Sequence, residues 1–372
     1  MHIAIDALLL KNQNAGTGFY THQLLVALSR LPSAHCFSVF VDARYQKASE
    51  FESEKMNVRK VKLRGTAHRI LWEQLVLPKE LQHIKADVAL YPFFIKPVQS
   101  YVPSVVIIHD ALIKIYPELI EPVRRWYLSA MIERSIRHAT RIITVSKYAR
   151  ADIVKHYGVA QERISVVPAA AAPHFETKLS SAEQRAILQS YAVLFERFFL
   201  CVGISHRYKN YLELLRAFKA ALEREPSLRL VMVGSDGNDA TRIQAFIEQN
   251  ALQEKVFRAK YVASEDLRAF YTAAAALVVT SQYESFCLPI VEAMQSGCPV
   301  IVANRAALPE TAGSAGLMYR TEEDLSQALL EVWRNDALRA SLVKKGYERA
   351  KAYSWSDSAK KTLAILEASV RA

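Results

Sequence analysis

Several features that would assign a function quickly are missing from this chain. The 372 residues include only four cysteines, Cys36, Cys201, Cys287 and Cys298. No two of them stand at a metal-ligand or C-x-x-C spacing, so they read as small buried apolar residues in a reducing compartment, and a disulfide-stapled scaffold is excluded. No apolar run is long enough and free enough of charge to span a bilayer. The N-terminal stretch MHIAIDALLLKNQN is too short, and no cleavage site follows a basic region there. A cytosolic protein, or one held peripherally at a membrane, is therefore expected. No D-x-D and no histidine cluster calls for a metal. No tandem repeat appears. An interleaved aromatic–basic platform is also absent, which ranks nucleic-acid binding last among the readings of a basic chain.

What is present suits two α/β units. Hydrophobic residues make up 51%, enough for two cores, and the length exceeds one comfortable core. Net charge is +11, from 48 Lys plus Arg against 37 Asp plus Glu. Such a balance attracts nucleic acid, anionic lipid headgroups or phosphorylated small molecules, or serves solubility alone. Strand, turn and amphipathic-helix patterns alternate along the chain. His2–Leu10, Asn12–Gly18 and Phe19–Leu31 form an opening strand–loop–helix unit, and a second α/β unit begins at Phe198–Gly203. Ile70–Gln82 is amphipathic with a break expected at Pro78. Glu121–Ala139 is a long arginine-rich helix, whose basic side is either a solvated face or a surface for anionic lipid or pyrophosphate. Ser264 is read as a helix cap, and Ser146 as either a helix cap or a site residue. Pro168–Ser181, rich in proline and small residues, reads as an interdomain linker.

The most informative stretch is Thr280–Ala303, TSQYESFCLPIVEAMQSGCPVIVA. An apolar strand ends before it. Pro289 suits the first turn of a helix, Gly297 a helix stop, and Pro299 opens the next strand. Glu284 lies just before the helix start and Glu292 about one turn inside, with the N–H groups of Ser285, Phe286, Cys287 and Leu288 between them. Backbone donors at a helix start suit an anion, and carboxylates suit neutral hydroxyls. A nucleotide-sugar carries both. A polar pair, His109–Asp110, ends another apolar strand at the edge where doubly wound folds bind ligands.

The whole string resembles the E-x7-E signature of the retaining glycosyltransferases of family four, approximately S-x-x-E-G-F-G-L-P-x-x-E-A-M-x-x-G-x-P-V. Ser281, Glu284, Phe286, Leu288, Pro289, Glu292, Ala293, Met294, Gly297, Pro299 and Val300 match. Ser285 and Cys287 replace glycines, which leaves the loop less free to adopt positive φ. Gly16, Gly18, Tyr20 and Thr21 resemble the family's opening G-x-G-R-Y-T, with Phe19 in place of Arg. His109 and Asp110, followed by Tyr116, Pro117 and Glu118, resemble its H-D and Y-P-E. Lys209 and Asn210 match V-G-x-x-x-P-R-K-N, with Tyr208 at the Arg position and Arg207 displaced by one residue. Gly234 and the Tyr261–Val262 pair fall where the family binds its donor.

The resemblance implies a GT-B fold, two doubly wound Rossmann-like domains facing a cleft. An acceptor-binding domain is expected over 1–172, a nucleotide-sugar donor domain over 173–355, and a C-terminal helix over 356–372 that returns to the first. It implies a retaining hexosyltransferase with no metal or other cofactor, using a nucleotide-sugar cosubstrate. His109, Lys209 and Glu284 are the expected catalytic residues. Donor contacts are expected from Gly16, Gly18, Arg207, Lys209, Gly234, Tyr261, Val262, Glu284, Ser285, Phe286, Cys287, Leu288 and Glu292. Lys209 and the 285–288 amides would take the phosphate, Glu292 the ribose and Glu284 a sugar hydroxyl. The H-D-A-L and Y-E-S-F-C-L-P variants favour mannose from GDP-mannose, with a UDP-sugar transferase or a sugar-nucleotide epimerase of the same fold as alternatives. The expected acceptor is a polyprenyl-diphosphate-linked sugar or growing surface polysaccharide, at an anionic membrane surface on the inner face of the plasma membrane.

Overall fold

The computed structural model describes residues 1–12 and 16–371. Part of the Asn12–Gly18 turn therefore lies outside the described residues. Short β-branched and leucine-rich runs, the central ones buried on both faces, form two all-parallel sheets. The first contains β1 (His2–Asp6), β2 (Cys36–Asp42), β3 (Met56–Val61), β4 (Val88–Tyr91), β5 (Ser104–Ile107), β6 (Arg141–Thr144) and β7 (Ile164–Val166), in the order β3-β2-β1-β4-β5-β6-β7. The second contains β8 (Phe198–Val202), β9 (Leu230–Val233), β10 (Val256–Ala259), β11 (Ala274–Val279), β12 (Val300–Ala303) and β13 (Gly316–Tyr319), in the order β10-β9-β8-β11-β12-β13.

In each sheet the chain builds outward from its first strand and then returns to the other side of it. β1 pairs with both β2 and β4, and β8 with both β9 and β11. That reversal leaves a crevice at the carboxyl ends of the central strands, where open α/β sheets bind ligands. The chain divides into two compact units, Met1–Ala169 with Ser354–Ala372, and Ala170–Tyr353. The Trp355–Val370 helix packs within the first unit. Ser358 Oγ donates to Pro168 O at 2.7 Å, and the Trp355 ring meets Tyr20 edge-on at 5.4 Å.

Three local expectations are corrected. Cys36 is exposed at the start of β2, because that end residue faces away from the core, whereas the other three cysteines are buried. Ser264 is the first residue of the Ser264–Ala273 helix and not its cap; Ala263 holds that place, and Ser264 Oγ instead lies 3.2 Å from His174 Nε2. Pro78 does not break its helix. Thr66–Leu71 runs through a π-helical turn, Trp72–Val76, into Leu77–His83, and Pro78 follows directly on that turn, where the helical hydrogen-bond register changes. Cys287 does adopt positive φ, at 71°, despite its side chain.

Candidate active site

The second unit brings four loops to the carboxyl edge of its sheet, one each from β8, β9, β11 and β12. The β8 loop makes one 3-10 turn, Arg207–Lys209, before Asn210 turns left-handed (φ 56°) and starts the Tyr211–Leu222 helix. Asparagine tolerates that region better than most side chains. The loop is tied to its neighbour from β11: Gln282 N donates to Tyr208 O at 2.6 Å, and Thr280 Oγ1 to Lys209 O at 2.8 Å. These bonds bring the Lys209 ammonium to 2.5 Å from Glu284 Oε1, with Ser281 Oγ donating to the same oxygen at 2.9 Å. Burial would push the ammonium pKa down, but the Glu284 carboxylate holds it above its ordinary value. Lys209 is a fixed cation at the reversal between β8 and β11.

The β11 loop continues into the Leu288–Gln295 helix. Ala307 N donates to Glu284 O at 3.2 Å, and Thr311 Oγ1 donates to Phe286 O, so the β12 segment holds this loop from behind. Phe286 is turned inward against Tyr353, ring centroids 5.2 Å apart, and anchors the loop by packing. Cys287 takes the left-handed cap position directly before the helix, and burial holds its thiol well above the ordinary range, so it is not a thiolate nucleophile. Ser285 is half-buried beside it. The first-turn amides of a helix have no partners within it, which suits the Leu288 end to an anion.

Glu292 lies one turn inside that helix, 8% exposed, and accepts a hydrogen bond from Tyr271 Oη at 2.9 Å. Burial raises its carboxyl from the ordinary 4.5 to about 7, against the pull of the Tyr271 hydroxyl. Tyr271 was not legible as a site residue. It comes from the end of the Ser264–Ala273 helix, and no local pattern links it to Glu292. Glu213 and Arg305, paired at 2.7 Å beneath the same loops, were also missed.

Gly234, at the end of β9, has a structural reason to be glycine. At φ 145° its added Cβ would lie 2.1 Å from Gly203 O, so the β8 and β9 loops approach backbone to backbone. Arg207 stands apart from Lys209. Its side chain is 67% exposed and lies 4.0 Å from Asp239. Of the pair after β10, Tyr261 is 60% exposed and Val262 is buried.

The remaining expected residues belong to the first unit. Gly16 caps the Thr17–Arg30 helix at φ 53°, and Gly18 is buried in its first turn. His109 follows β5 and is buried, with Nε2 donating to Pro92 O at 3.1 Å and the Tyr20 ring edge-on at 5.0 Å. Burial lowers its pKa to about 4, so the imidazole is neutral. Phe94, at φ 67°, packs on its other side. Among the described residues no group of three or more His, Cys, Asp or Glu side chains is placed to hold a metal ion, and no helix is long and apolar enough to cross a membrane.

Two doubly wound parallel sheets, the second carrying a paired lysine and an acidic helix start at its reversal, define the GT-B class of glycosyltransferases. The comparisons agree. The model of Glycosyltransferase Family 4 matches residues 15–172, and that of Glycosyl transferases group 1 matches residues 184–349. The O-antigen chain mannosyltransferase B of Escherichia coli is 30% identical over 70% of this chain and 69% of its own length. The MMP alpha-(1->4)-mannosyltransferase of Mycolicibacterium hassiacum is 28% identical over 67% of this chain and 59% of its own. The crystal structure of Anabaena Alr3699/HepE in complex with UDP and glucose superposes with a TM-score of 0.75 at 16% identity, covering 99% of this chain and 100% of that one. The chain belongs to the group 1 glycosyltransferases, and its class of reaction is hexosyl transfer.

Proposed function

We propose that this enzyme transfers mannose from GDP-mannose, with retention of anomeric configuration, onto a lipid-linked or growing surface glycan. The observation that carries the reading is the Lys209–Glu284 pair beside the Leu288 helix start, with Glu292 one turn further in. In this assignment the donor diphosphate lies against the helix amides and Lys209. The Lys209 cation meets the negative charge that develops on the β-phosphate as the glycosidic bond breaks. Glu284, released from Lys209, accepts from a hydroxyl of the sugar, and Glu292 accepts from the ribose. The departing phosphate oxygen takes the acceptor proton, so neither glutamate has to be a nucleophile and no metal is assigned a step. His109, neutral and held by Pro92, is assigned to the transferred sugar on the family resemblance.

Two lines favour mannose. The Y-E-S-F-C-L-P and H-D-A-L variants have that leaning, and both relatives compared above are named as mannosyltransferases. An acceptor sugar has a candidate seat in the first unit. A cavity of about 450 Å³ at the carboxyl ends of β1 and β2 is lined by Asp42, Arg44 and Arg69. Asp42 accepts from Arg44 through both carboxylate oxygens, and Glu73 accepts twice from Arg69, so hydroxyl-binding groups are already oriented there.

A thermal-shift comparison of GDP-mannose with UDP- and ADP-sugars, followed by transfer of labelled mannose to membrane glycolipids, tests the assignment. Stabilisation by GDP-mannose alone supports it, and stabilisation by a UDP-sugar alone overturns the donor. The UDP-bound Anabaena structure of like fold keeps that second donor in view. Conversion of labelled donor to an isomer without any acceptor would instead identify an epimerase.

A further inference from the structure

The Lys209 ammonium is enclosed by more than its carboxylate. Its stem lies over the backbone of Gly203, where an added Cβ would meet Lys209 Cε at 3.4 Å and Nζ at 3.5 Å. Glu284, itself held by Ser281 Oγ, bounds it from the β11 loop. The ring of Tyr208 faces it as well, with Lys209 Nζ over the ring and 5.5 Å from the centroid. That is within reach of a cation–π contact, in which the negative face of the ring attracts the ammonium.

The ring is held in this place from several sides. Gln282 N donates to Tyr208 O at 2.6 Å, and Lys209 N donates to His206 O at 2.9 Å, so the backbone around Tyr208 is fixed. The His206 imidazole stacks on the ring, centroids 5.8 Å apart and planes 20° from parallel. Arg207 N donates to Asn238 Oδ1 at 2.9 Å, which ties the same turn to the β9 loop. Tyr208 stands where the R-K pair of the signature has arginine, and Arg207 turns to Asp239 without replacing it. Position 208 therefore sets an aromatic face beside the lysine in place of a second positive charge. A second cation there would repel the first, whereas a ring attracts it whether its other partner is Glu284 or a phosphate.

We propose that Tyr208 is a positioning residue for Lys209: its ring face holds the ammonium at the reversal while Glu284 gives way to the donor diphosphate. The inference rests on the reading of Lys209 as the phosphate cation. In that exchange the lysine loses its carboxylate partner, and a point charge on a flexible stem has many other directions open to it. The Tyr208 face stays through the exchange and narrows those directions. It acts on the diphosphate through Lys209 and not by touching it.

The test is calorimetric binding of GDP against GMP, with UDP against UMP alongside, since the members of each pair differ by the β-phosphate. Lys209→Ala should abolish the preference for the diphosphate. Tyr208→Leu should cut that preference roughly fivefold or more, with affinity for the monophosphate unchanged. Tyr208→Phe, which keeps the ring, should hold the preference within about twofold of wild type, and Tyr208→Arg should not exceed it. Melting curves establish that each variant is folded, and Tyr208→Met takes the place of Tyr208→Leu if the latter is not. An undiminished preference in the folded, ringless variant overturns the proposal. So does a loss in Tyr208→Phe as large as in Tyr208→Leu, which would assign the hydroxyl, or a gain in Tyr208→Arg, which would make the position a phosphate contact. Lys209→Ala with its preference intact would instead overturn the phosphate reading, and this inference with it.

Discussion

Lys209 Nζ and Glu284 Oε1 lie 2.5 Å apart, each side chain only 14% exposed, and they join the two loops at the reversal of the second sheet. The cation proposed above for the donor phosphate is thus already paired, and on that proposal donor binding exchanges one partner for another. Removing one member of a shielded pair leaves the other uncompensated, at a cost of about 3 kcal/mol. Lys209→Ala should abolish transfer and also lower stability by an amount of that order. The double variant Lys209→Met with Glu284→Gln should recover most of the stability and none of the activity. Denaturant unfolding with a transfer assay checks both. Full activity in Lys209→Ala would sink the phosphate assignment.

Glu292 makes a pH prediction. Its folded carboxyl titrates at about 7 against an ordinary 4.5, so between these values the folded state binds the proton that the unfolded state has released. Stability contributed by the neutral form is present below about pH 4.5 and is lost as pH rises towards 7, an effect of about 3 kcal/mol by linkage. Glu292→Gln should therefore be more stable than wild type at pH 8. It should also bind donor at least tenfold more weakly, since the amide replaces an acceptor oxygen with a donor. Apparent donor KM of the wild type should rise as pH falls from about 8 to 6 and stay flat in the variant. A pH-independent wild-type KM would show that the carboxylate does not hold the donor.

Cys287 holds a left-handed backbone that a side chain occupies only at a cost of about 1 kcal/mol or more. In Cys287→Gly, relief of that strain is offset by loss of buried apolar contact, and stability should change by less than about 1 kcal/mol. Cys287→Val, β-branched, should lose at least about 2 kcal/mol. Equal stability of the Val variant would mean that the loop relaxes to negative φ.

Gly234→Ala forces a Cβ onto the Gly203 carbonyl and moves the loop that carries Lys209. A destabilisation of about 3 kcal/mol is expected, with a higher donor KM and a smaller change in kcat. Steady-state kinetics beside a melting curve separates these effects. An unchanged KM would show that the β8 loop does not transmit the shift.

The sequence by itself determined the alternation of strand and helix, and with it two parallel sheets, because apolar runs bounded by glycine and proline permit little else. It also carried the signature from Ser281 to Val300, since a loop that presents amides and carboxylates at a helix start is a local object. Contacts made at a distance were decided only by the tertiary structure. Tyr271 reaches Glu292 from another helix, Thr311 steadies Phe286 from behind, and His109 becomes neutral because Tyr20 and Phe94 enclose it. The displaced Arg207 illustrates the same limit. One position from the family pattern, it turns towards Asp239 instead of joining Lys209, because the 3-10 turn points residues two apart in different directions. Local pattern fixes which groups stand in a loop, but burial and neighbouring backbone set their charge, their direction and their partners.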